Sequence, residues 1–172
     1  MIPFSFQKGN KTSGCEDAPP IATPSYSIVC DGLGGSGATK HSIMEGDNKT
    51  PIMRTSGYLG SRIVCDCVNE YYAQNLDELA SAIRTQDHSS LLNTFLSGLK
   101  NKIETAFDEK MKEWGIEASK SNTLKDFPTT LASSIYMPHS NGITVLAVWA
   151  GDSRVYVLEP EKGLRLLSLD DA

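Results

Sequence analysis

Tyr26-Ser27-Ile28-Val29-Cys30-Asp31-Gly32-Leu33-Gly34-Gly35-Ser36-Gly37 is an apolar run that ends abruptly in an acid and a chain of glycines. Ile28 to Cys30 has the character of a buried strand. A carboxylate at the mouth of such a strand, beside backbone that other groups can approach closely, suits a hard cation or a phosphate-bearing ligand. One acid is too little for either. The fold therefore has to bring other acids to Asp31, and the surrounding sequence has candidates.

Upstream, residues 4–9 are expected to form a first strand, and Cys15-Glu16-Asp17-Ala18 places two adjacent acids before the break at Pro19-Pro20. Ser25 to Cys30 forms the next strand. Two strands so close in sequence are most simply antiparallel neighbours, which would bring Glu16-Asp17 and Asp31 to one end of a sheet. Downstream, residues 36–55 show no clear period and are expected to be a loop insertion beside the glycine turn, placed where it could lid the site.

Ser56 to Gln74 has a helical stripe, with Leu59, Ile63, Cys67 and Tyr71 at four-residue spacing, widened by Val64, Val68 and Tyr72. A short helix is expected over Asp77 to Arg84. A long one follows over Ser89 to Trp114, capped by Ser89 or Ser90 and stopped by Gly115. These stripes are core packing rather than binding grooves. After a polar connector, Thr129 to Tyr136 and Gly142 to Ala150 turn β-branched and aromatic, with Pro138 to Gly142 as the turn between them. Arg154 to Glu159 and Leu164 to Leu167 complete an antiparallel meander. Strands, then helices, then strands define an α+β fold.

The chain has 172 residues, 40% of them hydrophobic and 22% charged, which suits one domain or part of a larger one. Its net charge of −5 argues against nucleic acid as the main partner, because phosphate backbones call for clustered Lys and Arg. No stretch is long and apolar enough to span a membrane, and the N-terminus lacks the pattern of a secretory signal. Cys15, Cys30, Cys65 and Cys67 do not have the spacing of a structural zinc site. Buried free thiols in a reducing cytoplasm are the expectation. His41, His88 and His139 are scattered and expected to be exposed rather than catalytic. A nucleotide loop is disfavoured, since G-x-x-x-x-G-K-[ST] is missing and Thr39-Lys40 has the wrong order for it.

Acids therefore gather near strand ends in three places: Glu16-Asp17, Asp31 and Asp152, the last within Gly151-Asp152-Ser153-Arg154. Carboxylates without a matching His or Cys cluster favour Mg²⁺ or Mn²⁺. Glu16-Asp17-Ala18, Cys30-Asp31-Gly32-Leu33-Gly34-Gly35, Thr129-Thr130, Gly151-Asp152-Ser153-Arg154 and Leu167-Ser168-Leu169-Asp170 occur in the motif order of the metal-dependent serine/threonine protein phosphatases of the PP2C type, which the chain resembles.

The resemblance implies an αββα arrangement, an antiparallel β-sandwich flanked by helices, incomplete at the C-terminus. Residues 1–172 would be a partial phosphatase domain, with 36–55 as an insertion. It further implies Asp31 as the catalytic acid bridging two Mn²⁺ or Mg²⁺ ions, with Gly32 offering its carbonyl. Glu16 and Asp17 would hold or orient coordinated waters, and Asp152 would serve a weaker additional metal position. The substrate would be a phosphorylated protein, attacked by a metal-activated water in the cytoplasm.

Three departures bear on activity. Thr12, with Lys11 beside it, stands where the family usually has a phosphate-gripping Arg, so Lys11 is the substrate-binding candidate. Leu33 replaces a His found in some members. The later Asp-Gly and Asp-Asn motifs have no counterpart before Ala172. Little or no turnover is expected of the chain as given, and dimerisation or strand swapping through exposed sheet edges is an open option. A non-catalytic pseudo-phosphatase or regulatory interaction module is the alternative reading.

Overall fold

The computed structural model describes residues 15–34, 39–44, 50–84, 88–116 and 126–169. The expected strand over residues 4–9, together with Lys11, Thr12 and Asp170, lies outside them. The fold is α+β. Ile21–Ala22 (β1), Tyr26–Val29 (β2), Leu131–His139 (β5) and Gly142–Ala150 (β6) form an antiparallel sheet in the order β1-β2-β5-β6. Its centre joins residues far apart in sequence, with Tyr26 opposite Ile135 and Val29 opposite Ala132. The β5–β6 turn is confined to Ser140-Asn141, because Pro138 and His139 still pair with Ile143 and Gly142.

Side chains alternate across this sheet. Tyr26, Ile28, Leu131, Ser133, Ile135 and Met137 lie on the face covered by helices and are buried there. Ser56–Arg84 (α1) and His88–Trp114 (α2) supply the cover. Two helices were expected across residues 56–84, but α1 is continuous. Asn75 and Leu76 carry no breaker, Asn75 Nδ2 donates back to the Tyr71 carbonyl at 2.8 Å, and Leu76, Leu79, Ala80 and Ile83 continue the apolar stripe onto the core. The helices run antiparallel: Tyr71 meets Phe95, its hydroxyl donating to the Phe95 carbonyl at 3.0 Å, and Glu70 pairs with Lys102 at 2.9 Å. Gly115, at φ 64°, ends α2 as expected, with Ile116 N donating to Met111 O at 2.9 Å.

Tyr72 is the centre of the core. It is fully buried, lies edge-on to Tyr26 with centroids 5.5 Å apart, and stacks on Phe95. Its hydroxyl meets Ser133 Oγ at 2.7 Å, and because Ser133 donates onward to Val148 O at 3.0 Å, Tyr72 is the donor of that pair. Helix and sheet are thus joined by a satisfied polar link inside an apolar layer.

Two further hairpins flank this body. Within residues 36–55, expected as a loop insertion, Lys40–Ile43 (β3) pairs antiparallel with Ile52–Thr55 (β4). The pattern is legible only from burial: His41, Ile43, Ile52 and Arg54 share the more covered face, while Lys40, Ser42 and Met53 are exposed on the other. Tyr156–Glu159 (β7) and Gly163–Leu166 (β8) form the other hairpin. The expected meander is therefore two hairpins in separate sheets. Leu158, Leu164 and Leu169 of this region are largely exposed. Among the described residues, no helix is long and apolar enough to cross a membrane.

Candidate active site

Asp31 follows β2, and its backbone is held from both sides. Its carbonyl accepts from Thr130 N at 2.9 Å and from Thr129 Oγ1 at 2.8 Å, while its own N–H donates to Thr130 Oγ1 at 3.4 Å. Gly32 pairs with Thr129, and Leu33 N donates to Pro128 O at 3.0 Å. The Thr130 hydroxyl is also bonded to Ser153 Oγ. A β-branched hydroxyl residue fits here, because one stiff side chain must serve both the Asp31 strand end and the Gly151–Arg154 turn that carries Asp152. That turn is anchored further on, where Val155 N donates to the buried Ser168 Oγ at 2.9 Å.

The Glu16-Asp17 loop is held beside Asp31 by contacts on two sides. Ala18 N donates to Cys30 O at 3.0 Å, laying the loop beside the end of β2. The first two turns of α1 grip it from the other side. Ser61 Oγ donates to the Glu16 carbonyl at 2.6 Å, and Arg62 Nη1 donates to the same oxygen at 3.3 Å. Arg62 Nη2 donates to the Cys15 carbonyl at 3.3 Å.

Gly32 sits where these elements meet. A Cβ there would overlap the main-chain carbonyls of both Glu16 and Gly57, and a Cβ at Gly34 would overlap the Glu16 carboxylate. Gly32 is thus needed for close approach of the acid loop and of α1, whereas the carboxylate beside Gly34 is a flexible side-chain end that can move aside. The N-terminus of α1 lies against this segment, and its partial positive charge favours nearby anions.

The acids act on one another. Asp31 is an exposed residue, yet its carboxyl is pushed up to about 6: first by loss of water around it, then by a hydrogen bond with Asp17, and then by the negative charges of Asp17, Asp152 and Glu16. All four predicted acids therefore reach one locality. Among the described residues, however, no three His, Cys, Asp or Glu side chains stand close enough to hold one ion between them. The two facts are compatible, since Coulomb repulsion acts beyond ligation distance, and carboxylates without a counter-ion hydrogen-bond or spread apart instead of converging. The donor set is all oxygen and under-neutralised, which fits a hard divalent cation in its chemistry. Gly32 itself is buried.

Several contributors were not legible as site residues: Ser61 and Arg62, and the pairing of Thr130 with Ser153. The available signal was the run of small residues Ser56, Gly57, Gly60 and Ser61 at the start of α1, which marks a helix end approached closely by other backbone. His41, expected to be exposed, is half-buried. It stacks on Phe127 with centroids 5.2 Å apart and bonds Ser56 Oγ through Nε2 at 3.0 Å, and burial lowers its pKa. His139 is exposed, and the side chain of His88 lies outside the described set. All four cysteines are free thiols. Three are buried, and Cys65 Sγ donates to Pro19 O at 3.7 Å.

The family described as protein phosphatase 2C matches residues 23–172. The chain belongs to that family. The matched range includes Asp31, Gly32, Thr129, Thr130 and Asp152, whereas Glu16 and Asp17 precede it. No curated protein and no solved structure was found to match the chain.

Proposed function

We propose that this chain carries the Asp31-centred part of a site that hydrolyses phosphoserine and phosphothreonine in cytoplasmic proteins. The observation that carries the reading is the placing of the Glu16-Asp17 loop and the Gly151–Arg154 turn beside the Asp31 strand end, where loss of water and then the neighbouring acids raise the Asp31 carboxyl, within a sequence of the protein phosphatase 2C family. Asp31, Glu16, Asp17 and Asp152 are the side chains that would hold Mn²⁺ or Mg²⁺, two ions in the complete set, with the Gly32 carbonyl as a further donor. Ions held there would supply a water of lowered pKa and neutralise phosphoryl oxygens.

The residues themselves have three tasks. Thr129 and Thr130 fix the Asp31 main chain, so that its carboxyl points from a rigid strand end. Below about pH 6 the Asp31 carboxyl carries a proton that a cation would have to displace, so cation affinity is expected to rise as pH rises through about 6. Lys11 would neutralise the phosphate of the substrate without the planar fork of an arginine. No covalent protein nucleophile is required.

Titration calorimetry with Mn²⁺ at pH 7.5 tests the reading. The native chain is expected to bind at least tenfold more tightly than Asp31→Ala, and any turnover of a phosphothreonine peptide is expected to need Mn²⁺ and to vanish in that variant. Equal affinity in the two proteins would remove the site assignment.

A further inference from the structure

Arg62 lies against the loop that carries Glu16 and Asp17 and bonds its main chain. Among the described residues, no ion pair joins it to a carboxylate. Its Nη atoms go instead to the main-chain oxygens of Cys15, Glu16 and Tyr58, at 3.3, 3.3 and 3.1 Å, and to Ser61 Oγ at 3.4 Å. The guanidinium is pinned flat by Tyr58, with Cζ 3.4 Å from the ring centroid. Tyr58 also carries Arg54 of β4 over its ring at 4.3 Å.

A planar fork reaching two consecutive carbonyls fixes the direction of the chain between them, and that chain bears Glu16. Ser61 adds a third bond from a fully buried hydroxyl to the Glu16 carbonyl. Gly32 and Gly34 leave room on the other side for the Glu16 carbonyl and carboxylate. The Glu16 main chain is therefore held from above by α1 and from below by the Asp31 turn, with its carboxylate not used in holding it.

From this geometry we infer that Arg62, with Ser61, is a positioning residue for the acid cluster. It clamps the Cys15–Glu16 backbone so that Glu16 and Asp17 are presented to the cation. The inference rests on the cation-site reading above and deepens it. Its distinguishing feature is that geometry, not charge, is the working property of Arg62.

Manganese affinity, measured by the electron paramagnetic resonance signal of free Mn²⁺, separates the two. R62A is expected to bind Mn²⁺ roughly 10–100-fold more weakly, the usual effect of losing a group that orients a ligand. R62K keeps the charge but loses the planar fork. It is expected to melt close to the native protein yet remain at least fivefold weaker for Mn²⁺. R62K binding as tightly as the native chain would overturn the inference.

A second measurement needs no metal. Exchange of the Ala18 amide, bonded to Cys30 O, is expected to quicken at least fivefold in R62K, and unchanged exchange would also overturn it. If the native chain shows no Asp31-dependent Mn²⁺ binding, the phosphatase reading fails, and the exchange result alone decides the positioning.

Discussion

Gly32→Ala is expected to lower the melting temperature by roughly 6–12 °C, corresponding to about 3 kcal/mol in a chain of this size. The added methyl meets the Glu16 and Gly57 carbonyls, and neither can yield as a flexible side-chain tip would. The Glu16 carbonyl is held by Ser61 and Arg62, and Gly57 belongs to the first turn of α1, whose neighbouring Leu33 carbonyl already lies 2.6 Å from where a Cβ on Gly57 would be. Either the acid loop or the helix has to move, and both movements separate Glu16 and Asp17 from Asp31. Loss of Asp31-dependent Mn²⁺ binding should accompany the fall in stability. Thermal unfolding followed by circular dichroism checks the first effect, and a shift of less than about 2 °C would show that the junction is looser than its geometry.

Asp31→Asn is expected to act in opposite directions with and without divalent cation. The Asp31 carboxyl titrates at about 6 in the folded chain, against about 3.9 in the unfolded chain. Between these values the folded state holds the extra proton, so stability falls as pH rises through this window, and the loss is complete above about 6. Below about 4 both states are protonated and the term vanishes. Asparagine removes the penalty. At pH 7.5 in chelator the variant should therefore melt higher than the native chain, by roughly 2–4 °C for about 1 kcal/mol, a figure reduced for the solvent-facing side of the carboxyl. At pH 4 the two should melt together.

With Mn²⁺ at about 100 times its dissociation constant, the native chain gains about 2.7 kcal/mol and the variant gains little, so the order reverses. Differential scanning calorimetry in chelator and in Mn²⁺ reads both signs. A variant that melts lower than the native chain in chelator would contradict the repulsion around Asp31.

Much of the fold is legible along single elements. The stripe from Leu59 to Tyr72 predicts which face of α1 is buried, and Gly115 predicts where α2 stops. What depends on partners far away in sequence is less legible. The β3–β4 hairpin hides because its strands are four residues each and half polar, too short for a period to emerge. The continuity of α1 through Asn75 depends on tertiary burial of Leu76 and Leu79, which a local pattern does not contain.

The site shows the same division. Asp31, Asp152 and the Glu16-Asp17 pair stand out as acids next to turns. Their approach was expected through strand pairing of residues 4–9, which lie outside the described residues, with 25–30; among the described residues Ala18 on Cys30 and the α1 clamp hold the loop there. Ser61 and Arg62 look like ordinary helix-surface residues until Glu16, 45 positions earlier, is placed against them.

Asp31 is, in the function proposed above, the acid around which a divalent cation would be held. Carbon-detected nuclear magnetic resonance of the Asp31 side-chain carboxyl, titrated from pH 3 to 8 with and without Mg²⁺, tests it most directly. The account predicts a midpoint of about 6 in the absence of Mg²⁺, displaced to below about 5 when Mg²⁺ saturates the site. A midpoint near 4 that Mg²⁺ does not move would contradict it.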